Sequence, residues 1–378
     1  MKKITAGQAG VLMFLSFCSS KFLTMPSAIS AMVGRDIWVV ATFAFILETI
    51  PIYFILKFMQ KYPDKNLKQV LEKMTGKILT KIIIIFYAIT FFIKLVILSK
   101  EIHNFLIDAL YDRVTWDLYL IPVLLIMGYV TFLGLRSICR TSQIFIYVIV
   151  FALIVACSIG LMSADITNTL PIMQNGFGVV FHGTIKHLFN FSDSIILLIF
   201  LGNVKPEPKM AKKIGFGIGS AMIITIIFYI IFNAVYDNLS LGNRQGIANI
   251  AQFIPNISSV LRLDWFTTII WIVVVLLKFS TLMYCVYVCL LDSFGLKNNG
   301  YVLIGIGVAV YLISIIPTLN IELTAKIFYS TPFTIMGLVQ YVIPYAFSIF
   351  LIIMKKDQKK LKRNKINGLL ISEACKNV

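Results

Sequence analysis

Long apolar segments recur along the whole 378-residue chain, and short polar connections separate them. Runs of at least about 18 mostly apolar residues are long enough to cross about 30 Å of hydrocarbon as helices. The pattern predicts ten such spans, which lie near residues 6–33, 37–58, 81–107, 117–135, 141–162, 184–204, 213–236, 264–291, 300–318 and 330–354. We therefore expect an all-α integral membrane protein with a ten-helix domain over 1–354 and a basic tail over 355–378.

The composition excludes a water-soluble enzyme. Hydrophobic residues make up 59% of the chain and charged residues 13%, whereas about a quarter of a soluble domain is charged. The net charge of +17 would suggest nucleic acid in a soluble protein. Here, however, the basic residues stand between apolar runs. Sites for single-stranded nucleic acid instead interleave basic residues with aromatic ones in polar grooves. We therefore expect a lipid membrane, and no nucleic acid, as the surroundings of this chain.

The basic residues also predict an orientation. Of the 34 Lys and Arg residues, six lie in the loops on one side, and 24 lie in the segments that alternate with those loops. Those segments are the N-terminus, 57–81, 136–140, 205–213, 292–299 and the C-terminal tail. Cytoplasmic loops carry the excess of Lys and Arg, so we expect a multi-pass protein with both termini in the cytoplasm.

Lys21, Lys94 and Lys278 fall well inside predicted spans and therefore need partners. A lysine at mid-membrane costs roughly 2.5–3.5 kcal/mol on insertion scales, so each should face the bundle interior or water rather than lipid. Glu48 and Asp193 lie at similar depth and are the natural counter-charges. We expect Asp193 to be coupled to Lys21, and Glu48 to form a structural ion pair.

The first and sixth spans are interrupted at corresponding places. The polar stretch from Cys18 to Lys21, followed by Pro26, breaks the first span, and the stretch 188–194 breaks the sixth. Interrupted helices at equivalent positions in two halves predict an inverted-repeat transporter with its site at the breaks. Backbone groups and half-helix dipoles freed there can bind a carboxylate or an amine.

Several segments resemble the spore germination permeases, the B subunits of nutrient germinant receptors, within the amino acid/polyamine/organocation transporter superfamily. The resemblance covers nearly the whole chain up to about residue 354. Its segments are Tyr62–Gly76, the Phe191-Ser192-Asp193 break, Leu241-Gly242 with Phe253-Ile254-Pro255, and Asp264-Trp265 before Trp271 and Lys278.

The resemblance implies a permease domain of ten helices in a five-plus-five inverted repeat, with helices one and six broken. It further implies a small nutrient ligand such as an amino acid, an A subunit and a lipoprotein C subunit as partners, and the bacterial cytoplasmic (spore inner) membrane as location. One departure is Ser19-Ser20-Lys21, which stands where transporters of the superfamily usually have a glycine-rich unwound segment. This departure argues against a carboxylate site built from bare glycine amides.

The candidate ligand-binding residues lie at the two breaks and on spans three and eight, which line the site in the resembling fold. They are Ser19, Ser20, Lys21, Phe22, Thr24, Tyr87, Lys94, Phe191, Ser192, Asp193, Ser194, Lys278 and Thr281. Two structural alternatives stay open. Lys21 could snorkel or satisfy a carbonyl at the break, and Lys94 and Lys278 could make interhelical contacts to Glu48 or to carbonyls.

Other chemistry is not indicated. No Cys/His pair has metal-ligand spacing and no nucleophile motif is present, so we expect no metal, no cofactor and no enzyme activity. The glycines at 215, 217 and 219 do not form a phosphate loop, and Gly215 and Gly219 are expected to permit close helix packing.

Two cytoplasmic segments have expected roles of their own. The segment 57–81, with an apolar repeat at Leu67, Val70, Leu71 and Met74, predicts an amphipathic helix on the membrane face or a docking surface for the A subunit. The basic tail is typical of a positive-inside signal that is attracted to anionic lipid, with an acidic partner surface as the alternative.

Three functions remain possible for the chain. They are a nutrient-sensing receptor subunit, an amino acid or cation transporter of the same fold, and a membrane scaffold with a vestigial pocket. The cost of keeping Lys21 and Asp193 inside the membrane argues against the scaffold.

Overall fold

The computed structural model describes residues 3–110, 115–236, 263–296, 299–316, 332–342 and 344–346. Its principal helices are α1 (Ala6–Cys18), α2 (Met25–Val33), α3 (Ile37–Lys61), α4 (Leu67–Leu110), α5 (Trp116–Phe132), α6 (Leu135–Met162), α7 (Phe177–Phe191), α8 (Ile195–Ile199), α9 (Met210–Tyr236), α10 (Leu263–Phe294), α11 (Gly300–Ile315) and α12 (332–342). The tail 355–378 and the loop at 241–255 lie outside the described residues.

The prediction of a helical, multi-pass membrane protein is confirmed. Five helical segments are long and apolar enough to cross a membrane, and two shorter helices are also apolar. The five are Met25–Lys61, Leu67–Ile107, Leu135–Met162, Met210–Tyr236 and Thr267–Phe294, and the two are Leu118–Phe132 and Gly300–Ile315. Within the described ranges no residue belongs to an extended β-strand.

The N-terminal helix begins with a local sequence signal. Thr5 accepts a hydrogen bond from the Gln8 amide, and the Gln8 side chain accepts one from the Thr5 amide, which is the reciprocal arrangement of a capping box. Two otherwise unsatisfied donors at the helix start are thereby bonded. The start of α1 is consequently fixed, and the helix runs inward toward the first break.

The predicted amphipathic helix over 57–81 is wrong in its extent and its surroundings. The first part of that segment completes α3, and Gly76 adopts a positive φ of 79° that separates a short first stretch of α4 from the long remainder. Leu67, Val70 and Leu71 are buried in the protein core rather than exposed to lipid. The apolar face exists, but neighbouring helices cover it.

Close packing of α1 on α9 depends on glycine, although not on the pair expected from the sequence. A Cβ on Gly10 would lie 2.9 Å from the Lys213 carbonyl oxygen, and a Cβ on Gly217 would overlap the Gly10 backbone. A Cβ on Gly219 would meet no atom within 4 Å. Gly217 therefore takes the packing role, because it faces α1, whereas Gly215 and Gly219 lie on other faces of the same helix.

Three of the basic segments that should share one side of the membrane meet at one end of the molecule. The Lys3 ammonium lies 2.6 Å from the Asp64 carboxylate, which joins the N-terminal segment to the loop after α3. The adjacent Ile4 carbonyl accepts a hydrogen bond of 2.8 Å from the Lys205 amide. These contacts agree with the alternation that the charge pattern predicts.

Candidate functional site

The first break separates α1 from α2 and carries polar side chains in place of a regular helix. A single turn of 3-10 helix over Ser20–Phe22 connects the two, and Lys21 within it is completely buried. Pro26 occupies the first turn of α2, where its missing amide does no harm. The break thus turns the Lys21 side chain into the protein interior, as the sequence predicted.

The second break lies between α7 and α8. The helix stops at Phe191, Ser192 and Asp193 leave it, and Ser194 precedes the short α8. All four residues are buried, and the Phe191 ring contacts the Lys21 ammonium with 5.7 Å between nitrogen and ring centroid. The two breaks therefore face each other inside the bundle.

Asp193 stands at the centre of a cluster of three lysines. Its carboxylate forms an ion pair with Lys21, and the Lys278 ammonium lies 3.3 Å from Oδ2. The Lys94 ammonium lies 3.7 Å from Oδ1 and donates a hydrogen bond of 3.1 Å to the Ser192 carbonyl. The predicted meeting of Lys21 with Asp193 is confirmed. Lys94 and Lys278, which the sequence left between ligand and structural roles, join the same cluster.

Glu48 has a different partner from the one expected. Its Oε1 accepts a hydrogen bond of 2.7 Å from the backbone amide of Ser194, and none of the ion pairs described includes Glu48. The predicted structural ion pair is therefore replaced by a carboxylate–amide contact. The physical reason is that the helix break frees the Ser194 amide, and a buried amide without a partner would be costly.

A second acidic group, which the sequence reasoning missed, completes the cluster. Glu101 lies on α4 and its Oε1 accepts a hydrogen bond of 3.0 Å from the Thr24 hydroxyl, so it ties α4 to the first break. Lys278 likewise donates a hydrogen bond of 2.9 Å to the Ser20 hydroxyl. The spacing of Lys94 and Glu101 by seven residues places them on one helix face, and this signal could have identified Glu101.

Gln340 on α12 is a further contact that the sequence did not indicate. The Ser192 hydroxyl donates a hydrogen bond to the Gln340 side-chain oxygen, and the Tyr87 hydroxyl lies 3.5 Å from the Gln340 carbonyl oxygen. Gln340 thus connects Tyr87 to the second break, and Tyr87 lies at the edge of the charged cluster. No regular polar pattern in the tenth span singles out Gln340.

The remaining predicted residues serve the frame around the cluster. Phe22 packs against Phe228 and Trp271, with ring centroids 4.3 and 5.1 Å apart. Thr281 donates its hydroxyl to the Leu277 carbonyl of its own helix at 2.7 Å, and Ser19 donates to the Ser16 carbonyl at 3.3 Å. Their polar atoms are therefore bonded locally, and Phe22 supplies an apolar wall.

A small polar cavity lies among these groups. Its volume is about 20 Å³, and its lining includes Ser20, Lys94, Glu101, Asp193 and Lys278. About 10–15 Å³ of such space holds one water molecule, so the cavity has room for about one water and is too small for an amino acid. The helices that line it would have to separate before such a molecule could enter.

Several buried polar atoms at the site lack a hydrogen-bond partner among the described residues. They are Glu48 Oε2, Glu101 Oε2, Asp193 Oδ1 and Ser194 Oγ. Most buried polar side-chain atoms in proteins are hydrogen-bonded, so a concentration of unsatisfied acceptors requires an explanation. A polar ligand or water in the cavity would satisfy the atoms of Glu101 and Asp193, which line it. In the described part of the chain, no group of three or more His, Cys, Asp or Glu residues has a metal-binding arrangement.

Comparison with known proteins identifies the sequence family. A family model described as spore germination protein matches residues 3–321. Spore germination protein YndE of Bacillus subtilis (strain 168) is 25% identical over 324 residues, which cover 83% of this chain and 87% of that protein.

Solved structures with a similar fold are transporters of low sequence identity. MhsT in complex with L-phenylalanine has a TM-score of 0.64 at 14% identity, and the match covers 90% of this chain and 89% of that one. Mutant forms of the Eremococcus coleocola manganese transporter give a TM-score of 0.58 at 12% identity and cover 91% and 76%. At these identities the likeness concerns the fold.

Proposed function

We propose that this chain, which belongs to the spore germination protein family, is the permease-like subunit of a nutrient germinant receptor and signals germination when it binds a small nutrient. The observation that carries the proposal is the cluster at the two helix breaks, where Asp193 meets Lys21, Lys94 and Lys278. Charges kept inside a membrane protein usually mark a substrate or ion site. The same reasoning opposes a scaffold with an unused pocket.

The chemistry of the cavity favours a zwitterion such as an amino acid. Lys94 and Lys278 can receive a carboxylate, and the unsatisfied Oε2 of Glu101 can receive an ammonium group. Both kinds of group lie on the wall of one cavity. A ligand with both charges would therefore satisfy groups that a neutral molecule would leave unpaired.

The size of the cavity requires the protein to change conformation when it binds a ligand. At about 20 Å³ it is closed to an amino acid, so the ligand must bind a more open arrangement of the helices. A ligand that binds one conformation better than another shifts the population toward it. Such a shift is what partner subunits would read, and we include an A subunit and a lipoprotein C subunit among the partners.

The alternative function is secondary transport of an amino acid or a cation. The solved neighbours support transport by fold alone, since one holds L-phenylalanine and the other is a manganese transporter. In this chain a metal ion would have to displace a lysine from Asp193, because three ammonium groups surround that carboxylate. Within this alternative, the geometry supports amino acid over metal.

The proposal includes an architecture and a location. We infer ten transmembrane helices in a five-plus-five inverted repeat, in which α1 with α2 and α7 with α8 form the two broken helices. The breaks lie five predicted spans apart and face each other, which supports the repeat. The basic segments support cytoplasmic termini, and the family supports the spore inner membrane.

Ligand binding can be tested by thermal unfolding of the purified chain with a panel of amino acids and nucleosides. We expect at least one amino acid to raise the unfolding temperature, and Glu101→Gln to lower its affinity at least tenfold. The matched control is Lys73→Gln, an exposed charge distant from the cavity. No stabilisation by any compound, in protein shown to be folded, would contradict the proposal.

Sensing and transport can be separated with the ligand found in this way. Proteoliposomes containing the chain should bind the ligand without accumulating it if the chain is a sensor alone. Accumulation above equilibrium with an imposed ion gradient would favour the transporter. Loss of the germination response in spores that carry the Glu101→Gln chain would connect binding to signalling.

A further inference from the structure

A long groove opens between α3 and α9, away from the charged cluster. Its volume is about 460 Å³, and it extends from Thr49 to Gln60 along α3. The eleven helical steps between these two residues span about 16 Å, which is roughly half of the hydrocarbon thickness of a bilayer. Exposed apolar side chains flank it, among them Ile50, Phe216 and Ile223. The groove therefore faces the region where one leaflet of lipid would lie.

Two glycines keep the groove open. A Cβ on Gly219 would meet nothing within 4 Å, and a Cβ on Gly215 would lie 3.7 Å from Leu56 Cδ1, an ordinary contact. Helix packing within the chain uses Gly217 instead, on another face of α9. Gly215 and Gly219 thus create space on the surface without bringing two helices of this chain together.

Two lysines lie at one end of the groove, and none of the described residues that line it is acidic. Lys57 is exposed and donates a hydrogen bond of 3.2 Å to the Tyr53 hydroxyl, and Lys212 is exposed near the start of α9. Both belong to segments that the charge distribution assigns to the cytoplasmic side. The deep part of the groove is apolar and its mouth is cationic, which matches a lipid with an anionic headgroup.

We propose that this groove binds an anionic glycerophospholipid of the cytoplasmic leaflet, with an acyl chain between α3 and α9 and the phosphate at Lys57 and Lys212. A transmembrane helix of a partner is the alternative occupant, but an apolar helix would leave the two lysines at the mouth without an anionic partner. The site is separate from the proposed nutrient site and does not depend on it.

The test uses the full chain in nanodiscs or mild detergent, with phosphatidylglycerol, phosphatidylcholine and glycerol phosphate as probes. Phosphatidylglycerol should raise the unfolding temperature more than phosphatidylcholine, and glycerol phosphate should have no effect, because it lacks the acyl chain. The preference should weaken at high salt. Equal stabilisation by both lipids, or stabilisation by glycerol phosphate alone, would overturn the proposal.

Two kinds of variant test the headgroup contact and the acyl-chain contact separately. Lys57→Gln with Lys212→Gln should weaken phosphatidylglycerol binding roughly 30-fold, from two lysines at the surface. The control pair Lys65→Gln with Lys73→Gln carries the same charge change elsewhere and should keep the preference.

Gly219→Leu should fill the groove and remove binding of both lipids, measured by native mass spectrometry. The control Gly305→Leu also adds a side chain into open space, on α11, and should leave lipid binding intact. If the Gly219→Leu chain still retains phosphatidylglycerol, or if Gly219→Cys forms a disulfide to another chain in native membranes, a lipid is not the occupant.

Discussion

The pairing of Asp193 with three lysines predicts that Asp193 and Lys21 contribute unequally to stability. Among the described residues, Asp193 is the carboxylate that forms ion pairs with Lys21, Lys94 and Lys278, so Asp193→Asn deprives three buried ammonium groups of that counter-charge. Lys21→Met removes one ammonium and leaves Asp193 with two. The aspartate substitution should therefore destabilise the protein more than the lysine substitution does.

The distances give the size of the difference. At an effective dielectric constant of about 20, the attraction of Asp193 is about 5 kcal/mol to Lys278 at 3.3 Å and about 4.5 kcal/mol to Lys94 at 3.7 Å. These two attractions survive when Lys21 is removed. Removing one partner of a buried ion pair lowers the free energy of unfolding by about 3–5 kcal/mol, and we expect a loss of this size for Asp193→Asn. For Lys21→Met we expect a loss of about 1–2 kcal/mol.

A double-mutant cycle on the unfolding of the purified protein measures the coupling. Lys21→Met with Asp193→Asn should cost less than the sum of the single substitutions, by about 1–3 kcal/mol. The double variant should recover stability without recovering the ligand response, if the pair also contacts ligand. Strictly additive losses would refute the reasoning, and so would a Lys21→Met loss as large as that of Asp193→Asn.

Two further predictions concern packing and orientation. Gly217→Ala should destabilise the chain by about 1–3 kcal/mol in thermal unfolding, because its Cβ would overlap the Gly10 backbone, whereas Gly219→Ala should be close to neutral. In a background without native cysteines, Lys73→Cys should react with an impermeant reagent only from the cytoplasmic side and Gln174→Cys only from the outside, since both positions are exposed on opposite connections. Reaction of both positions from one side would contradict the orientation.

The centre of the site was predictable because the membrane restricts charge so strongly. Lys21 and Asp193 each lie in an apolar span, where an isolated charge is costly, and each accompanies a helix break. These two constraints, together with the inverted repeat that the two breaks predict, bring Lys21 and Asp193 together. Length and hydropathy similarly predict helices, since backbone groups in lipid must be bonded within their own segment.

The rest of the site depends on contacts that no local pattern specifies. Glu48 lies at the expected depth, but its partner is a backbone amide that only the second break exposes. Gln340 reaches Ser192 because α12 packs beside that break. The choice of Gly217 over its neighbours follows from which face of α9 meets α1. Each depends on the rotation of one helix relative to another, which hydropathy does not determine.

The composition of the first break affects how a ligand would act. Ser20 and Lys21 supply polar side chains there, and these side chains bond Lys278 and Asp193 across the site. The ammonium groups are therefore already bonded to groups of the protein, and a ligand carboxylate must compete with Asp193 for one of them. If it takes Lys94 or Lys278, the contact between that helix and the second break is lost. Binding would then loosen α4 or α10 from α7, so the exchange of ion-pair partners would itself produce the movement that a sensor requires.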